Sequence, residues 1–142
     1  MSVAAPGWSV GEELEGRRLP PITRLQLIKY AGASGDYNPI HLLDEDAKRA
    51  GLPGVIAHGM LTAAMLASPF SPYLEHGYLK EMRVRFSKPV YVGDELRIAG
   101  RASGAEVLQE GKLYTFEVRA EREEETVASG TVSFLVYRGE ND

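Results

Sequence analysis

A carboxylate and an imidazole lie five positions apart in Ser34-Gly35-Asp36-Tyr37-Asn38-Pro39-Ile40-His41, and a second histidine, His58, stands directly before Gly59. Pro39 removes a backbone donor and pushes Asn38 toward extended geometry, so the segment reads as a loop of restricted shape and not as continuous helix. A histidine and an aspartate held on one such loop can work as an acid–base pair, one moving a proton while the other orients or shares it. The spacing does not choose which of the two transfers the proton. The same residues also satisfy plain turn chemistry, with Gly35-Asp36 and Asn38-Pro39 shaping a bend and His41 on the surface.

Other candidates surround this pair. Asn38 can brace the loop through its side chain or contact a substrate. His58 can cap or pack at a helix start, or touch a substrate. Lys80, Arg83, Arg85 and Lys88 form the notable basic cluster. It reads either as a solvated strand face or, through Arg85 and Lys88, as a contact for a phosphorylated ligand. Asp36, His41 and His58 together offer metal-binding atom types, but no two histidines have a short helical ligand spacing and the chain has no cysteine, so no metal is expected. His76, beside Gly77, reads as plain surface.

The elements that must position these residues change character near residue 80. Thr23 can cap a helix over Arg24 to Ala33, with Leu25, Ile28 and Ala31 or Gly32 on one face and Gly32 and Gly35 ending it. Asp44 to Ala50 can form a second helix, acidic at its start and basic at its end as the helix dipole favours. From His58 to Leu66 comes an alanine-rich helix, apolar nearly all round and therefore expected to be buried. Beyond residue 80 the apolar period becomes two: Val84 and Phe86, then Val90 and Val92; Leu96 and Ile98; Tyr114, Phe116, Val118 and Ala120; Val132, Phe134 and Val136. Gly93-Asp94 and Glu110-Gly111 read as turns, and Glu123-Glu124-Glu125 lies at or near the turn before the last strand. With a strand expected at Gly16 to Ile22, about five antiparallel strands need one apolar cover, and the helix after His58 is the adequate one. The fold class is thus α+β: a hot-dog fold, with a curved antiparallel sheet wrapped around a buried central helix.

At 142 residues the chain suits one domain over 1–142. Its 44% hydrophobic and 25% charged residues are ordinary for a globular protein, and no apolar run approaches a membrane span. A net charge of −4 argues against nonspecific nucleic-acid binding. Met1 to Pro6 lacks the pattern of a secretory signal, which makes the cytosol the expected compartment.

The string Tyr30 to His41, followed by Ala57-His58-Gly59-Met60-Leu61-Thr62, closely resembles the MaoC-like dehydratase family, also called hydratase 2, with Gly-Asp-x-Asn-Pro-Ile-His and Ala-His-Gly-Met intact and in order. The resemblance runs from about Gly11 to Val136 and includes Arg85-Phe86-Ser87-Lys88-Pro89-Val90 and Val92-Gly93-Asp94. It implies that Asp36 and His41 are the catalytic pair, that the Gly59 backbone N–H is the oxyanion donor, and that no cofactor is needed. The implied activity is reversible hydration of a trans-2-enoyl thioester to the (3R)-hydroxyacyl thioester on coenzyme A or acyl carrier protein. Arg85 and Lys88 could then meet the carrier's phosphates. Some relatives place a serine in the central helix against the aspartate, where this chain has Ala67, with Ser68 next. A homodimer or dimer of dimers is expected, because an open sheet edge is satisfied by a second copy. A hot-dog thioesterase and a noncatalytic acyl-thioester-binding partner subunit are the competing readings.

Overall fold

The computed structural model of the chain describes residues 2–139; Met1 and residues 140–142, which the one-domain expectation also covers, lie outside the described residues. Five strands form one antiparallel sheet in the order β1-β3-β4-β5-β2. They are β1 (Glu13–Arg18), β2 (Gly77–Phe86), β3 (Leu96–Val107), β4 (Gly111–Arg122) and β5 (Glu125–Tyr137). The helices α1 (Arg24–Ser34), α2 (Asp44–Arg49) and α3 (Gly59–Ala67) all fall between β1 and β2, with 3-10 turns at Pro39–His41 and Ser68–Tyr73. The curved sheet packs around α3, which is the hot-dog arrangement that the periodicities predict.

The side-chain period explains the sheet. Along β4, Tyr114, Phe116, Val118 and Ala120 turn to the core while Glu117 and Arg119 stay exposed. Val132, Phe134 and Val136 do the same on β5, so α3 faces a continuous apolar surface. Phe70, Phe116 and Phe134 are wholly buried, and a buried side chain of that size contributes about 2–3 kcal/mol. Trp8, from the extended N-terminal segment, packs edge-on against Tyr114 and Phe116 at 4.9 Å.

Four expectations need correction. The first strand is Glu13–Arg18, not Gly16 to Ile22, because Pro20 and Pro21 cannot supply ladder donors. On α1 the buried residues are Leu27 and Ala31, four apart, whereas Leu25 and Ile28 are exposed; Gly32 lies within the helix and Gly35, at φ 78°, ends it. The central helix is not buried all round: Thr62, Ala63, Met65 and Leu66 meet the core while Met60 is 66% exposed. Val90 and Val92 lie in a loop outside the strands, which makes an isolated bridge between Ile56 and Tyr91.

Candidate active site

The loop after α1 is held by its own side chains. Gly35 adopts the left-handed conformation and donates its N–H to the Ala31 carbonyl, closing the helix. Ser34 Oγ then accepts from the Asp36 N–H at 3.1 Å, Asp36 Oδ1 from the Asn38 N–H at 3.2 Å, and Asn38 Oδ1 from the Ile40 N–H at 3.3 Å. Each short polar side chain thus satisfies a backbone donor two residues on. Pro39 sits at the start of the following 3-10 turn, where its missing N–H costs nothing. This is the brace expected of Asn38.

At the end of that turn His41 is buried, 8% exposed, and its Nδ1–H donates to the Ile56 carbonyl at 2.8 Å. A carbonyl only accepts, so the neutral ring carries its free lone pair on Nε2. That atom lies 3.8 Å from Asp36 Oδ2. The gap is too long for a direct hydrogen bond, but a water about 2.8 Å from both atoms would meet them at an angle of about 85°. Asp36 is half exposed, so the pair can be reached from solvent.

The carbonyl that holds His41 is itself fixed on several sides. The Val55 N–H donates to Asp44 Oδ1, the Ile56 N–H to the Ile40 carbonyl and the Ala57 N–H to the Val90 carbonyl. Asp44 also accepts from Arg24 at 2.6 Å, and that bond, with the Val55 donor second, holds its carboxyl below the ordinary value of 3.8.

His58 and Gly59 enter from the other side, at the start of α3. The His58 carbonyl begins the helix by accepting from Leu61 and Thr62, and its side chain makes no capping bond. Instead the ring is 1% exposed and stacks on His41 with centroids 3.9 Å apart. Its Nε2–H donates to the Asp36 backbone carbonyl at 3.1 Å. The Gly59 N–H is at the first helical position, where helix geometry provides no acceptor and the dipole is positive. A Cβ there would lie 3.4 Å from Phe86 Cζ.

The structure therefore brings Asp36, Asn38, His41, His58 and Gly59 together across two elements. Arg85 and Lys88 are not part of that group. Phe86 turns toward α3, so its neighbour Arg85 projects to the opposite face of β2. Lys88 pairs with Glu125 at 2.8 Å and is the leading cause that holds that carboxyl below its ordinary 4.5. Ser68 Oγ donates to the Met65 carbonyl, so Asp36 takes its orientation from the Asn38 N–H and not from a helix serine. His76 is tied rather than plain surface, its Nε2–H reaching the Val3 carbonyl at 2.5 Å.

A metal fits the trio poorly. One donor atom each from Asp36, His41 and His58 lie within 4.8 Å of one another. Ligands at about 2.0–2.2 Å from one ion require imidazole lone pairs that converge in their ring planes, and these two rings are stacked 24° from parallel. Sequence reasoning missed three contributors: the Ile56 carbonyl, the Phe86 ring over Gly59, and Tyr30, whose ring lies 4.7 Å from His58. The first is a backbone atom and leaves no trace in residue type. Phe86 and Tyr30 carry a signal only as aromatics inside the strings 85–90 and 30–41.

Comparison with known proteins bears on the family and the fold. Residues 6–126 match the family described as MaoC like domain. The chain is 29% identical to 3-hydroxyacyl-thioester dehydratase Z of Mycobacterium tuberculosis, over 94% of this chain and 96% of that one. It is 36% identical over 67 residues to the mitochondrial 3-hydroxyacyl-[acyl-carrier-protein] dehydratase of Arabidopsis thaliana, covering 47% of this chain and 40% of that protein. The match thus spans less than half the length of some curated relatives. The crystal structure of an (R)-hydratase from A. caviae superposes with a TM-score of 0.80 at 21% identity, over 93% of this chain and 99% of that one, which bears on the fold. With its helix-wrapping sheet, its Asp36–His41 loop and a family match over most of its length, the chain belongs to the MaoC-like family of dehydratases and hydratases.

Proposed function

We propose that the chain catalyses, in the cytosol and without a cofactor, the reversible hydration of trans-2-enoyl thioesters of coenzyme A or acyl carrier protein to the (3R)-3-hydroxyacyl thioesters. The observation that carries this reading is the 3.8 Å gap between His41 Nε2 and Asp36 Oδ2, with His41 Nδ1–H already committed to the Ile56 carbonyl. Water alone, with a pKa of about 15.7, is a poor nucleophile. Held between these two atoms, it gives a proton to the pair as its oxygen bonds to C3, and the pair returns a proton to C2. Water is the sole reagent consumed, and dehydration is the same path reversed. The Nε2 lone pair favours His41 as the group that moves the proton, with Asp36 orienting the water.

As the double bond is attacked, negative charge grows on the thioester oxygen. The Gly59 N–H supports it from the positive end of α3, an effect of about 3–4 kcal/mol for one such donor. The chain works best in this reading as a homodimer: β2 is an open sheet edge, and Met60, Leu25, Ile28 and Phe86 present exposed apolar surface. Arg85, which has no carboxylate partner among the described residues, is the better placed of the two basic candidates to meet a carrier phosphate from the outer face.

The test is spectrophotometric. Crotonyl-CoA should lose its enoyl absorbance without releasing thiol, and Asp36→Asn and His41→Ala should each lower kcat by about 100- to 10,000-fold. Thiol release would favour a thioesterase. No reaction with any chain length or carrier would favour a binding subunit. Full activity in either variant would sink the assignment of the pair.

A further inference from the structure

The catalytic reading uses Asp36, His41 and Gly59 and leaves the most deeply buried histidine without a task. His58 is 1% exposed, yet its Nδ1 has no hydrogen-bond partner among the described residues. A buried acceptor left unpaired is unfavourable, and a histidine that merely filled space could be replaced by an apolar ring without that cost. What the imidazole does make is specific. Nε2–H donates to the backbone carbonyl of Asp36, 22 residues earlier in the chain, and the ring face lies 3.9 Å from that of His41. The Tyr30 ring lies 4.7 Å from the same imidazole, tilted by 59°. The His58 carbonyl begins α3, one residue before the Gly59 N–H.

From these contacts we infer that His58 is a positioning residue that locks both members of the catalytic pair to the oxyanion helix. The hydrogen bond fixes the main chain that carries the half-exposed Asp36 carboxylate. The stacked face keeps the His41 ring in the plane in which Nδ1–H meets the Ile56 carbonyl and Nε2 meets the water. The backbone of the same residue sets where Gly59 stands. Phenylalanine at this position retains the stack and loses the tether; glutamine retains an amide donor and loses the stack. The two functions are therefore separable by substitution.

The inference rests on the hydration reading, and its test separates the two. His58→Phe in the full chain should lower kcat with crotonyl-CoA by about 100-fold, as misplacement of a catalytic group by about 1 Å does, with KM changed less than about twofold. Added to Asp36→Asn, it should cost little more, because phenylalanine keeps the stack on His41 and removes only the tether that acts through Asp36. Losses that multiply independently would overturn the proposal. Nuclear magnetic resonance provides a readout that needs no turnover. His58→Phe should speed hydrogen exchange at the Asn38 amide, which is bonded to Asp36 Oδ1, and His58→Gln should replace the single His41 tautomer with a mixture. Both signals unchanged in folded variants would overturn the positioning role. Both shifts in the variants, together with a wild-type chain that hydrates no enoyl thioester, would uphold it and refute the reaction instead.

Discussion

Gly59 illustrates how narrow the chemistry is at the scale of one residue. Its missing Cβ would sit 3.4 Å from the ring of Phe86, which is 49% exposed and able to yield. Gly59→Ala should therefore fold, with an unfolding midpoint within about 2 °C of wild type, since alanine suits a helix start. Its kcat should fall by about tenfold or more, because the new methyl group stands where the acyl thioester must approach the N–H. Calorimetry and the hydration assay on the same preparation check both halves. Asn38 belongs to the same scale. Loss of its oxygen in Asn38→Ala should cost about 1 kcal/mol, the usual worth of a capping side chain, read from denaturant unfolding. Lower activity with unchanged KM would accompany it, because Pro39 and His41 follow within three residues.

Between elements, two partly exposed carboxylates tie neighbouring segments together. Asp44 joins α1 and α2 to Val55, with the Arg24 hydrogen bond as the first cause of its lowered titration and the Val55 N–H as the second. Glu125 opens β5 and meets Lys88 and Arg122. Both titrate below their ordinary values of 3.8 and 4.5 when folded, so the folded chain binds fewer protons than the unfolded chain in that interval. Their stabilisation is complete above those values and is lost as pH falls through the lowered ones. Thermal unfolding followed from about pH 6 to pH 2 should show Asp44→Asn less stable than wild type at neutral pH and less sensitive to acid. Parallel curves for the two proteins would contradict this. Arg122, held charged chiefly by Asp94, ties the same loop from β4 through Asp94 and the Pro89 carbonyl.

For the whole molecule, stability resides where α3 and the turn after it meet the sheet. Phe70 is wholly buried, 4.9 Å from Phe116 and within reach of Trp8. Phe70→Ala should cost about 3–5 kcal/mol, or roughly 10 °C in a chain of this size, visible by calorimetry. The proposed second copy makes a separate prediction. Light scattering should report twice 15.6 kDa, and Met60→Glu, which charges an exposed apolar position next to Gly59, should shift the protein toward monomer and lower its activity. A monomeric wild type with full activity would remove the dimer from the account.

Residue types and spacing by themselves determined the curved antiparallel sheet and the central helix, and they singled out Asp36 and His41 as a candidate pair; Gly59 joined them as a candidate through the family resemblance. Period two along Tyr114–Ala120 admits one folding of that strand, and Pro39 admits one kind of loop, because both are local steric constraints. Local rules could not say which side of α1 would be covered, since Leu25, Leu27, Ile28 and Ala31 give it apolar residues on more than one side. Nor could they say that Met60 would face outward. Those outcomes depend on what each helix meets, and only packing decides that. The site divides in the same way. His41 is legible as a base, but the choice of Nε2 as its free nitrogen comes from the Ile56 carbonyl fifteen residues away, and the bond to Asp36 and the stack on His41 came to His58 only when α3 docked against the loop. A side chain announces what chemistry it can do; the neighbours that orient it are brought together by the fold.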